Sequence, residues 1–368
     1  MRTLCCAGAI ESSDIARRTN QITAPSVSLL NGAHLIGSVK AKSSGSRPLT
    51  VHSSKSPQGV TLIVFDIAGA KIHRSAKMSR VLILGGSGFI GSAFARELAA
   101  RSVDFSSLSR NQCDYTKFDA IHSLMKKVRP ELVVNCSGVT GTPNVDWCEL
   151  HRKETIAGNI IAAAAISDAC YNLGIILGHI STGCIYNGER PLGAPWTEGD
   201  PPNFCFGEEP CSFYSGTKAL AEWKIAGNPL AYIWRLRMPF CEEADPKNLI
   251  TKLLTYPAIF DSPKNSLSHL GECVKACLDT WELGVKRGIY NVVNPGALTN
   301  REIVGLILET LKPDREFEFC AADSVYFKEQ MMAPRSNCVL SSKKLSAAGI
   351  ELRPVHEAMV ETLKNYKP

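Results

Sequence analysis

The stretch Val81-Leu82-Ile83-Leu84-Gly85-Gly86-Ser87-Gly88-Phe89-Ile90-Gly91 reads as a buried strand, a glycine turn and the start of a helix. Four consecutive apolar residues bounded by glycine suit a strand covered on both faces. In the G-x-x-G-x-x-G that follows, Gly85 permits a tight turn and Gly88 lets the backbone approach a pyrophosphate. Gly91 lets the helix pack closely on the strand. Phe89 and Ile90 open that helix, whose free N–H groups attract an anion. A glycine-rich surface turn has the same composition, but not the strand before it and the helix after it.

Working outward, short β-branched runs alternate with longer helical periods. Strands are expected over 103–108, 132–135, 175–180, 231–237 and 288–293, with helices over 89–100, 115–127, 146–173 and 214–225. Parallel crossovers of this length imply an α/β fold, a Rossmann-type doubly wound parallel sheet with ligands at the carboxyl ends of its strands. Segments 187–210, 240–267 and 312–339 interrupt the alternation. Residues 79–368 are therefore expected to form one domain. Its dinucleotide-binding core is 79–239 with 286–297; a small C-terminal substrate-binding lobe takes 240–285 and 298–368.

The 368-residue chain carries 41 Lys and Arg against 35 Asp and Glu, and the excess is local. Ten basic and three acidic side chains fall in residues 1–78, which leaves the remainder near neutral. No basic face for nucleic acid follows from that distribution. The head is Ser-rich and acid-poor, like an organelle transit peptide. Alternatively it precedes a start at Met78, since Met78-Ser-Arg-Val81 runs straight into the strand. Either way 1–78 is expected to be an extension without a fold, and the compartment is the cytoplasm, or a plastid or mitochondrion for a transit peptide. No run approaches the ~18 consecutive apolar residues of a spanning helix, so no membrane partner is expected. Fourteen cysteines are scattered mostly singly, without paired CxxC units; no metal is expected, and reduced thiols are.

The second strand ends in Ser109-Arg110, where an NAD site carries a carboxylate for the ribose 2′-OH. A guanidinium suits a 2′-phosphate, so the expected cofactor is NADPH. Asp114 either reaches adenine or caps the next helix. Asn135-Cys-Ser137-Gly138 ends the third strand where the cofactor passes. Of nine tyrosines only Tyr214 has a lysine four residues later, Lys218, on the same helix face. Such an ammonium lowers the phenol's pKa and holds the nicotinamide ribose while the tyrosine protonates a carbonyl oxygen. Thr182, at the end of the fourth strand, offers a hydroxyl to that oxygen, and Asn159 is a candidate anchor for the proton relay. Singly these are a loop arginine, a solvated Tyr–Lys pair, a strand-end hydroxyl and a polar helix residue. Their order along the chain joins them.

These residues resemble the extended short-chain dehydrogenase/reductases, and within them the dTDP-4-dehydrorhamnose reductases. The plant-type bifunctional 3,5-epimerase/4-reductases of rhamnose synthesis are the nearest match. The resemblance is carried by Gly138-Val-Thr140-Gly-Thr-Pro-Asn144-Val-Asp-Trp-Cys-Glu149, Thr182-Gly-Cys184, Ser212-Phe-Tyr214-Ser-Gly-Thr-Lys218, Arg235-Leu-Arg-Met-Pro239, Asn248-Leu-Ile-Thr-Lys252, Asn294-Pro-Gly296 and Ala333-Pro-Arg335-Ser-Asn337. It covers nearly everything after Met78, loosely over 187–210 and 312–332. It implies Tyr214, Lys218 and Thr182 as reductase residues, with Gly138 to Thr140 beside the cofactor. Cys184 and Lys252 would perform an epimerisation, and Asn144, Asn248 and Arg335 would lie on the side of a nucleotide-diphospho-4-keto-6-deoxy sugar.

The chemistry is coherent. A C4 ketone acidifies the C3 and C5 protons, and donors that polarise its oxygen for hydride attack also stabilise an enolate. Thr182 and Cys184 are i and i+2 on an expected extended segment, so both face one side. A thiol paired with a protonated lysine across the ring can then remove a proton on one face and replace it on the other. Otherwise Cys184 merely packs and the protein is a plain 4-reductase. A third reading is a non-catalytic NADP-binding subunit, because the regulatory subunit of methionine adenosyltransferase resembles the same reductases. The choice between UDP and dTDP stays open, as does the oligomeric state, for which a homodimer is one expectation.

Overall fold

The computed structural model describes residues 81–321, 324–325, 329 and 331–368, together with the backbone of 40–42, 48–55 and 61–66. The chain divides into two compact units, 1–76 and 77–368. In the first, strands β1 (Lys40–Lys42), β2 (Pro48–Lys55) and β3 (Thr61–Asp66) pair antiparallel in that order. Strands in the head were not expected: Thr50 and Val51 in β2 and Thr61, Ile63 and Val64 in β3 are β-branched residues that favour strands. The expected transit segment and the alternative start at Met78 lie otherwise outside the described residues.

In the second unit a six-stranded parallel sheet is built from β4 (Val81–Leu84), β5 (Phe105–Leu108), β6 (Leu132–Asn135), β7 (Ile176–Thr182), β8 (Ala231–Leu236) and β12 (Gly288–Asn291). Its order is β5-β4-β6-β7-β8-β12. The order reverses at β4, where the chain leaves one edge and resumes on the other side, and a crevice opens at such a switch point. Every residue of β4, β6 and β8 is buried, as expected for strands covered on both faces.

One flank is formed by α1 (Phe89–Ala100) and α8 (Leu270–Glu282). Leu270, Cys273, Val274 and Cys277 form an apolar stripe on α8 that packs with Phe94 of α1 and Trp234 of β8. Sequence order had assigned α8 to the lobe; this stripe puts it on the sheet. The other flank holds α2 (Phe118–Val128), α5 (Ala162–Leu173) and α6 (Phe213–Ala226). The expected single helix over 146–173 is broken. It consists of α3 (Asp146–Leu150), α4 (Arg152–Ile156), a π-helical turn Ala157–Ile161, and α5. Arg152–Leu173 has the length and hydropathy of a membrane span, yet it buries Ala162, Ile166, Ala169 and Cys170 against Leu82, Val133 and Leu177 of the sheet.

The lobe has its own core. Helix α7 (Leu249–Thr255), α9 (Asn300–Thr310) and the helix Val355–Lys364 bury Ile250, Leu253, Ile303, Ile307 and Met359 together. A short parallel pair, β10 (Ala258–Phe260) with β13 (Glu318–Cys320), edges it.

Candidate active site

The carboxyl ends of β4, β6, β7 and β8 open on a cleft of about 680 Å³ whose far wall is the lobe. The glycine turn forms its floor. Gly85 has φ +79°, and a Cβ there would meet the Ser137 backbone nitrogen at 2.8 Å. A Cβ on Gly91 would come within 2.3 Å of the Gly85 carbonyl oxygen, so the third glycine sets how closely α1 approaches β4. Gly88, Phe89, Ile90, Ser109, Arg110, Ser137, Gly138 and Thr140 line the cleft too. Asp114 does not line it. Its carboxylate accepts the N–H and hydroxyl of Thr116 and closes a turn; it does not cap α2 either, whose N-cap is Lys117. Tyr115 was missed: its hydroxyl donates to the Leu108 carbonyl at 2.6 Å and braces the turn, and burial pushes its phenol up to about 12.

Tyr214 and Lys218 project from α6, which starts at Ser212 with a capping box to Ser215. Thr182 ends β7, and all three line the cleft. Burial raises the Tyr214 phenol, Cys184 adds to that, and Thr182 and Arg237 act against it. The expected net depression by Lys218 is therefore not what the site gives, because desolvation of a nearly buried phenolate outweighs its neighbours. Lys218 itself is pushed down to about 8 by burial, opposed chiefly by Glu222. Its ammonium donates to the Ile180 carbonyl at 2.8 Å and lies 3.5 Å from His179 Nε2.

His179 was also missed. Asn135 Oδ1 accepts the Ser137 N–H and hydroxyl, so its amide nitrogen faces His179 Nδ1 at 3.1 Å. That ring nitrogen must accept, which assigns the imidazole proton to Nε2, toward Lys218. Burial first, then Lys218, holds His179 well below its usual range. A neutral imidazole therefore underlies the lysine.

Cys184 and Lys252 both line the cleft. Cys184 does not lie on an extended segment. It sits in the 3-10 turn Gly183–Ile185, whose cap is the Thr182 hydroxyl accepting the Cys184 N–H at 3.1 Å. The turn nevertheless keeps the thiol and that hydroxyl adjacent. Lys252, on α7, is lowered by burial first and by Lys247 next, with Cys184 opposing. Arg237 Nη1 lies 2.7 Å from Cys184 Sγ, a contact that sequence spacing could not reveal.

Three expected contacts are corrected. Asn159, 2% exposed in the π-turn, accepts the Val139 N–H and donates to the Val139 carbonyl and the Thr217 hydroxyl. With both amide protons so committed, its side chain braces the cofactor-side loop rather than reaching a relay partner directly, and Asn159 also lines the cleft. Asn248 is fully buried; it caps α7 through Ile250 N–H and donates to the Cys241 and Glu243 carbonyls, away from the cleft. Arg335 does line the cleft, but its fork is taken by Asp146 at 2.8 and 2.6 Å, so it is not a ready diphosphate clamp. Lys247, 3.5 Å from the Thr140 hydroxyl, is a cation on that wall without a carboxylate partner among the described residues. Asn144 lines the cleft while its Oδ1 accepts the Asp146 N–H at the start of α3.

The RmlD substrate binding domain family model matches residues 78–259. The bifunctional dTDP-4-dehydrorhamnose 3,5-epimerase/dTDP-4-dehydrorhamnose reductase of Arabidopsis thaliana is 32% identical over 295 residues, 78% of this chain and 93% of that protein. This chain belongs to the dTDP-4-dehydrorhamnose reductase family. Its family makes it an enzyme, an oxidoreductase of rhamnose synthesis. The trifunctional UDP-glucose 4,6-dehydratase/UDP-4-keto-6-deoxy-D-glucose 3,5-epimerase/UDP-4-keto-L-rhamnose-reductase RHM1 of the same plant is 33% identical over 242 residues, 64% of this chain and 35% of that protein. The crystal structure of the L780 UDP-rhamnose synthase from Acanthamoeba polyphaga mimivirus superposes with a TM-score of 0.71 at 25% identity, covering 78% of this chain and 99% of that one.

Proposed function

We propose that this reductase carries out both 3,5-epimerisation and NADPH-dependent 4-reduction of a UDP- or dTDP-4-keto-6-deoxyglucose, giving nucleotide-L-rhamnose. The observation that carries the reading is one cleft holding Thr182, Tyr214 and Lys218 beside Cys184 and Lys252. The Arabidopsis relatives, named for both activities, support it.

The glycine turn fits a dinucleotide, since a Cβ would fill the space at Gly85 and Gly91. Arg110, exposed on the cleft rim, suits a ribose 2′-phosphate and favours NADPH over NADH. Bound there, the nicotinamide supplies the hydride. Thr182 and Tyr214 polarise the C4 carbonyl, and Tyr214 gives its proton to O4. Lys218 reaches from beneath, fixed by the Ile180 carbonyl. In epimerisation the same two hydroxyls hold the enolate oxygen while Cys184 and Lys252 exchange protons at C3 and C5.

The test is product analysis after incubating the enzyme with UDP-4-keto-6-deoxyglucose and NADPH or NADH. Nucleotide-L-rhamnose formed preferentially with NADPH is expected. Reduced sugar with unchanged configuration at C3 and C5 would leave a plain 4-reductase.

A further inference from the structure

Three arginines near the cleft differ in one respect. Arg235 is paired with Glu222, and Arg335 with Asp146. Arg237, only 4% exposed, has no carboxylate within salt-bridge distance among the described residues. Its Nη2 donates to Asn265 Oδ1 and to the Ser336 carbonyl, both at 2.6 Å, and its Nη1 points at Cys184 Sγ, 2.7 Å away. The Nε is buried with no partner. Guanidinium does not lose its proton in a protein, and a buried charge without a counter-charge is costly. Amide and carbonyl dipoles offset part of that cost. The remaining contact, Cys184 Sγ, can take a full negative charge; the Cys338 thiol and the Tyr214 phenol also lie near the guanidinium, but burial pushes both of them up.

We infer that Arg237 is the counter-ion of a Cys184 thiolate, so that the epimerase base is an arginine–cysteine ion pair with Lys252 left as the acid. The inference rests on the epimerase reading and adds to it the residue that holds the sulfur's charge. The thiolate takes the C3 or C5 proton: the C–H bond breaks, an S–H bond forms, and the electron pair passes into the enolate. An N–H bond of the Lys252 ammonium then breaks as its proton goes to the same carbon from the opposite face, and the enolate pair returns to form the new C–H bond. The thiol and the neutral amine are left, and solvent carries the proton from sulfur to nitrogen to restore the pair. Arg237 acts through the sulfur and itself neither takes nor gives a proton. It is a positioning residue that sets the charge on the sulfur.

The test is the pH profile of Cys184 alkylation by iodoacetamide on the full chain, read by mass spectrometry of the peptide that carries it. Only the thiolate reacts, and a free thiol titrates near ~8.5, so an unpaired cysteine gains about twenty-fold in rate from pH 7 to 9. The wild-type profile is expected to be nearly flat over that range, and that of Arg237→Met to be steep. Arg237→Lys, which keeps the charge, should restore most of the flatness. Because the profile compares one protein with itself, it does not depend on how accessible the thiol is. A wild-type rate that climbs about twenty-fold overturns the proposal even where the variants fail to fold. So does an Arg237→Met profile as flat as wild type. A flat wild-type profile in a protein that exchanges neither sugar proton keeps the ion pair and removes the epimerase reading instead.

Discussion

Lys218 is pulled two ways. Burial penalises its ammonium and brings it down to about 8, while Glu222, one turn along α6, opposes the shift. In the unfolded chain a lysine titrates near ~10.4. Between those values the unfolded state holds a proton that the folded state has released, so stability rises with pH across the window. Below about 8 both states are charged and the fold bears the full cost of the buried ammonium. Lys218→Met, which removes the charge, should therefore melt above wild type at pH 7, with the gap narrowing as pH rises from 8 toward 10. Thermal denaturation at three pH values checks this; a gap that widens would mean that the ammonium is stabilised in the fold. At this scale the sequence was informative where spacing carries chemistry, as for Tyr214 with Lys218. It was silent where partners come from distant elements: Arg237 reaches Cys184 only because β8 lies beside β7. Asn248 teaches the reverse. An Asn directly before Leu-Ile-Thr is a helix-cap signature in its own right, and the capping role is the one it plays.

Among the elements, β4, the glycine turn and α1 were readable because three physical demands fall on consecutive residues. The contacts at Gly91 make the most direct trial of that reading. An alanine there has to displace the Gly85 carbonyl oxygen at 2.3 Å and the Gly86 Cα at 2.7 Å, both rigid backbone. Gly91→Ala should cost about 1–3 kcal/mol of stability, the usual range for overpacking, and should weaken NADPH binding by moving the α1 N-terminus. Denaturant titration and cofactor fluorescence would measure the two effects, and unchanged values for both would detach the turn from the cofactor site. The break in 146–173 was not readable. Alanine and isoleucine continue a helical pattern through Ala157–Ile161, and the π-turn arises from tertiary bonds of Asn159 to Val139 and Thr217. Helix α8 went to the wrong part for a similar reason: its stripe was visible, but the surface it would cover was not.

At the scale of the whole molecule, the sheet order places the turn after β4 next to the ends of β6 and β7, and the lobe's α7 carries Lys252 to the opposite wall. On the proposed reading, a single cleft thereby holds groups for two reactions on one ketone. The two activities are separable, because proton exchange at C3 and C5 needs no hydride. The most direct measurement is mass spectrometry of UDP-4-keto-6-deoxyglucose incubated with the enzyme in heavy water without NADPH. Wild type should incorporate deuterium at both positions. Tyr214→Phe should incorporate it more slowly, with only Thr182 left to hold the enolate oxygen, while reduction with NADPH falls by ~10²–10⁴-fold, as for other general acid–base groups. Cys184→Ser and Lys252→Ala should lose incorporation. A wild-type enzyme that exchanges neither proton, or undiminished exchange in Cys184→Ser, would contradict the account.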